Sequence, residues 1–123
     1  MNTNGIEFFE DLIEIHQEQN TIIDKYPKLR SLLERACKDL TANDSVQFSD
    51  LFSRLNHICQ KTKLDKQKCF QINTFRINAN RVLHAEFKPK SETYLYDLKA
   101  LCNDKNNLMH CTKPSNHINK FQI

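Results

Sequence analysis

Apolar residues recur every three or four positions through most of the chain, the spacing that places them on one face of an α-helix. The first run, over about residues 5–25, aligns Phe8, Phe9, Leu12, Ile15, Ile22 and Ile23. Asn4 with Glu7 fits a capping box at its start, and Pro27 suits the opening of a new helix. A second helix is expected over about 28–41, carrying Leu29, Leu32, Leu33, Ala36, Cys37 and Leu40. "TANDS" at 41–45 is a turn signature in which Asp44 or Ser45 can cap a third helix. That helix, about 46–61, presents Phe48, Leu51, Phe52, Leu55, Ile58 and Cys59. Asp65 can cap a fourth, about 66–86, with Cys69, Ile72, Phe75, Ala79, Val82 and Leu83 on its stripe. Pro89 breaks it. A shorter fifth helix, about 92–103, shows Tyr94, Leu95, Leu98, Leu101 and Cys102.

The predicted fold is therefore all-α, an antiparallel bundle of four long helices with a shorter fifth packed on it. Its domain covers 1–104, and the Asn- and Lys-rich stretch 105–123 reads as a polar tail or truncated linker. Composition agrees, because a single glycine and three prolines are too few punctuating residues for a turn-rich β architecture. The length of 123 residues suits one core.

A net charge of +3 permits a nucleic-acid partner without demanding one. The first 17 residues lack the basic and apolar regions of a signal peptide, and no run is apolar enough to span a membrane. A cytoplasmic protein with no membrane partner is expected. Five cysteines, an odd number, then suggest free thiols, with Cys37, Cys59 and Cys69 as small core residues. No glycine-rich phosphate loop, nucleotide fingerprint or Ser/His/Asp order is present, so no cofactor is expected. Cys102, His110, Cys111 and His117 could each ligate zinc, but their spacing fits no zinc motif and no metal site is expected. The acidic face of the first helix, Glu10, Asp11, Glu14 and Glu18, reads as solvent-facing.

The stretch "RINANRVLH" carries the candidate chemistry. Arg76, Asn80 and His84 recur every four residues and spread over roughly 80° of the fourth helix, overlapping its apolar stripe. An arginine there needs a carboxylate, backbone carbonyls or an anion. Glu34, Asp39 and Asp50 are candidate partners that would make it a register-fixing residue, while a solvent-edge arginine or a catalytic site are the alternatives. Lys66, Lys68, Arg81, Lys88 and Lys90 flank this helix and could meet a phosphate backbone.

The pattern Arg-x3-Asn-x3-His, ending a helix before a proline break, resembles the HEPN-like helical domains. It is closest to the branch N-terminal in bacterial helicases and type I restriction enzyme R subunits. "YPKLRSLLERACKDL" is similar to that family's earlier helix through Pro27, Arg30 and Glu34. The resemblance spans roughly residues 27–100, with Ala79 where the family often has glycine. It implies a helical bundle that often pairs as a homodimer, acting as a non-catalytic accessory module beside a helicase or restriction motor, in the same or a partner chain, on RNA or DNA. The rival it implies is a metal-independent endoribonuclease of toxin type acting as a homodimer, with Arg76, Asn80 and His84 as the candidate catalytic set and Arg76 and His84 meeting their counterparts across the dimer. In that chemistry a histidine takes the 2′-hydroxyl proton and an arginine stabilises the phosphorane. The seven residues between Arg76 and His84 exceed the family's usual ribonuclease spacing, and Ile77 follows Arg76 where a polar residue is usual.

Overall fold

The computed structural model describes residues 4–102. Five helices follow one another: α1 (Asn4–Gln17), α2 (Ile22–Leu40), α3 (Leu51–Thr62), α4 (Lys66–Leu83) and α5 (Ser91–Cys102). The all-α bundle expected from periodicity is observed, although α3 is as short as α5 at 12 residues. The tail at 105–123, with His110, Cys111 and His117, lies outside the described residues, as does the side chain of Cys102. Helix α2 is the hub, packing against each of the other four. Tyr26, Leu29, Leu33, Leu55, Ile58, Ile72, Phe75 and Leu98 form the fully buried centre. The rings of Tyr26 and Phe75 stack at 5.7 Å between centroids.

Two helix boundaries differ from expectation for a local reason. The first break falls after Gln17, where Thr21 caps α2 and its Oγ1 accepts from the Asp24 amide at 3.3 Å. Pro27 therefore lies inside α2 and leaves the Ile23 carbonyl without its i+4 donor, instead of opening the helix. Helix α3 begins at Leu51 because Asp50 outcompetes Asp44 and Ser45 as its cap, accepting from the Ser53 amide at 2.8 Å. Asp44 instead accepts from Lys61 Nζ at 2.9 and 3.0 Å and lies 2.9 Å from His57 Nε2, which ties the α2–α3 connection to α3.

The scarcity of glycine shows at two helix ends. Lys63 (φ 54°) and Ala85 (φ 59°) take the left-handed conformation that glycine adopts at least cost. At the end of α4 the Ala85 amide donates to Val82 O at 3.0 Å and the Glu86 amide to Arg81 O at 2.8 Å, a Schellman closure. Ala85→Gly should raise the free energy of unfolding by about 0.5–1 kcal/mol, measured by urea denaturation.

Two expectations about the core are corrected. Cys59 and Cys69 are joined by a disulfide rather than being free thiols, while Cys37 is free and buried. The tight α3–α4 hairpin brings their Cα atoms to 6.3 Å, within bridging range. Leu83 shares the bearing of Ile72 on α4 but is 50% exposed, because the last turn of α4 is covered on its Val82 side and not on its Leu83 side. Leu83→Ala should therefore change stability by less than about 0.5 kcal/mol in the same assay, as surface substitutions do.

Candidate functional site

The structure places Arg76, Asn80 and His84 on one helix but in three different settings. Arg76 donates from Nε to Asn73 Oδ1 at 2.7 Å, and its guanidinium lies 4.9 Å from the ring centre of Phe52 on α3. Partial burial disfavours its charge, nearby Asp50 offsets part of that cost, and Arg30 adds to it. Asp50 thus acts on Arg76 through space, without an ion-pair contact among the described residues. A guanidinium over an aromatic face is a stable arrangement, and it accounts for an arginine overlapping an apolar stripe. It also explains why Phe52, expected in the core, is 44% exposed: its ring is covered by Arg76 rather than by a helix.

Asn80 accepts from Arg30 Nε at 3.0 Å, and Arg30 Nη1 reaches Glu34 at 3.4 Å. The residues of the two motifs that carried the resemblance thus meet at the α2–α4 seam through Arg30, Glu34 and Asn80. His84 caps α4 with its backbone, its amide donating to Asn80 O at 3.1 Å, and its side chain is exposed. It lies eight positions along the chain from Arg76, about 12 Å along the axis. Within one chain no shared acid–base site forms from Arg76 and His84.

A different constellation lies between α4 and α5. Lys68 and Gln71 on α4 face Tyr96, Lys99 and Ala100 on α5 across a cleft of about 170 Å³. Lys68 is in the first turns of α4, beside Cys69, so the disulfide to α3 fixes the backbone that carries it. No acidic residue occupies that first turn. Of the basic residues nominated from sequence, Lys68 alone lines this cleft. Lys66 is exposed on the first turn of α4, whereas Arg81 is exposed near the opposite end, about 20 Å from Lys68 along the helix, and Lys88 and Lys90 are exposed beyond that end. Arg81 there covers the Phe87 ring, 4.8 Å from its centre. Sequence reasoning missed Lys99, Tyr96 and Gln71. Their signal was the polar face of the fifth helix, where an exposed tyrosine sits three residues before a lysine.

A larger groove of about 510 Å³ runs between α1 and α2. Its acids, Asp11, Glu14 and Glu18, outnumber its bases, Lys28 and Arg35. Glu18 takes Lys28 at 2.6 Å and Asp11 takes Arg35 at 3.8 Å, so the cations are already paired. The excess of acids disfavours an anion in this groove.

One polar network is sealed in the core. Asp97 is fully buried, accepting at Oδ2 from Tyr26 Oη at 2.5 Å and from Asn78 Nδ2 at 3.0 Å, while its Oδ1 has no hydrogen-bond partner among the described residues. Burial pushes the Asp97 carboxyl above the usual range, and the bonds from Tyr26 and Asn78 pull it back in part. Burial likewise raises the Tyr26 hydroxyl and pushes Tyr94 up to about 12. Tyr94 Oη meets His16 Nδ1 at 2.9 Å, and Lys25 Nζ donates to His16 O at 2.7 Å. This network pins α1, α2, α4 and α5 together. Among the described residues no cluster of His, Cys, Asp or Glu could hold a metal ion, and no helix is long and apolar enough to cross a membrane.

Compared with known proteins, the chain matches no family model, no curated protein and no solved structure.

Proposed function

We propose that the chain is a non-catalytic accessory module of a nucleic-acid-processing protein, gripping the nucleic acid at its α4–α5 face while a motor domain, in the same or a partner chain, does the work. The observation that carries this reading is the pair of lysines, Lys68 and Lys99, contributed by two helices to the walls of one cleft. Paired cations on rigid helices suit a phosphate backbone, whose neutralisation releases counterions and supplies sequence-independent affinity. The HEPN-like resemblance supports the same assignment. The engagement of Arg76 by Asn73 and the Phe52 ring, and of Asn80 by Arg30, supports an accessory role over ribonuclease chemistry.

The test is binding of labelled oligonucleotides by the full chain and by the double variant Lys68→Glu/Lys99→Glu, at several salt concentrations. The reading expects the variant to lose at least about tenfold in affinity, with a shallower salt dependence, its log–log slope reduced by about 1.4 for two lost phosphate contacts on a single strand. The same charge change at Lys88 and Lys90 controls for net charge and should cost less. Equal losses from the two double variants, or no binding by the wild-type chain, would overturn the reading.

A further inference from the structure

We infer that the α4–α5 cleft holds one unpaired base of a single-stranded nucleic acid, stacked on Tyr96, with the flanking phosphates on Lys68 and Lys99; this rests on the nucleic-acid reading above. The size of the cleft points the same way. At about 170 Å³ it holds on the order of six waters, at ~30 Å³ each. Cofactor- and drug-sized ligands begin near ~300 Å³, so one flat group enters and a whole nucleotide cofactor does not.

The lining has the two parts that single-strand binding requires. One is an aromatic ring open to solvent: Tyr96 is 47% exposed, unlike Tyr26 and Tyr94, which are sealed in the core. The other is positive charge from both helices that line the cleft, Lys99 three residues along α5 from Tyr96 and Lys68 on α4. Gln71 adds an amide able to donate to and accept from a base edge. Stacking on an aromatic side chain tolerates every base, because each presents a π-face. A duplex hides those faces inside its stack, so it could use the lysines but not Tyr96. The cleft thus discriminates by strandedness rather than by sequence.

Fluorescence anisotropy tests this with three probes of equal length: oligo(dT), the same strand carrying abasic sites, and a duplex. Tyr96→Ala should weaken oligo(dT) binding about tenfold or more, and leave the abasic strand unaffected. Tyr96→Phe should bind oligo(dT) as the wild type does, since the ring and not the hydroxyl is used. Tyr96 is outside the core, and circular dichroism would confirm that the variants fold. If Tyr96→Ala binds oligo(dT) like the wild type while Lys68→Glu/Lys99→Glu does not, the base-stacking inference is wrong and the phosphate-binding reading survives. If the wild type binds duplex as well as oligo(dT), the inference fails in the same way. If the wild type binds none of the three probes, the underlying reading fails with it.

Discussion

Phe75→Ala should lower the free energy of unfolding by about 3–5 kcal/mol, the range for truncating a buried aromatic to alanine. Phe75 has no solvent exposure and stacks on Tyr26, itself fully buried, at the meeting of α2 and α4. The substitution removes the ring's transfer free energy and leaves a void that the helices can only partly close. It also uncouples α4 from the hub helix, so the Asn78 bond to Asp97 should weaken with it. Urea denaturation followed by circular dichroism would read the change. A loss below about 1 kcal/mol would mean that Phe75 is not a core residue, because surface substitutions rarely exceed ~0.5 kcal/mol.

Tyr26→Phe should cost about 1–3 kcal/mol at neutral pH by leaving the buried Asp97 carboxyl with Asn78 as its one partner. The cost should depend on pH, and its sign follows from proton linkage. Asp97 holds its proton more tightly folded than unfolded, since burial raises its pKa. Between its unfolded and folded pKa values the native state binds more protons, so stability falls as pH rises through that window. The Tyr26 hydrogen bond favours the ionised carboxylate and limits that fall. Removing it deepens the loss above the folded pKa and leaves stability less affected near pH 4. Three carboxyls act in the opposite direction. Hydrogen bonds from Lys61 and His57 hold Asp44 down, that from the Ser53 amide holds Asp50 down, and that from Lys28 holds Glu18 down. Their contributions are present above the ordinary carboxyl range and are lost on acidification. Comparing Tyr26→Phe with wild type at the same pH cancels those three, because the variant leaves them untouched. An equal penalty at pH 4 and pH 7 would show that Asp97 does not change its ionisation across that range.

The helices were legible in the sequence because their apolar spacing is a one-dimensional signal. Leu29, Leu33, Leu55, Ile72 and Leu98 fall on the stripes that periodicity marks, and all are buried. Periodicity gives a bearing around a helix and says nothing about which side a partner covers, which is why Leu83 appeared to be core. Helix ends depend on competition between caps. Thr21 and Asp50 prevailed over Pro27 and Asp44 through backbone bonds that the sequence does not rank. The pairing of Cys59 with Cys69 depended on how sharply α3 turns into α4, and counting cysteines could not supply it.

The candidate site was less legible. The four-residue repeat of Arg76, Asn80 and His84 was plain, but its partners came from Arg30 on α2 and Phe52 on α3, which only packing joins. Lys68 and Lys99 are 31 residues apart in sequence, and their shared cleft exists only once α4 and α5 pair. Asp97 could have been noticed as an acid between Tyr94, Leu98 and Leu101 on a buried stripe. The tyrosine that binds it, 71 residues earlier, could not.

The most direct test of the nucleic-acid assignment is a nuclear magnetic resonance titration of the nitrogen-15-labelled chain with oligo(dT). The account predicts amide shifts that grow with added oligonucleotide at residues 68–71 and 96–100, with little change along the acidic α1–α2 groove. Shifts centred on that groove, or none at saturating oligonucleotide, would contradict it.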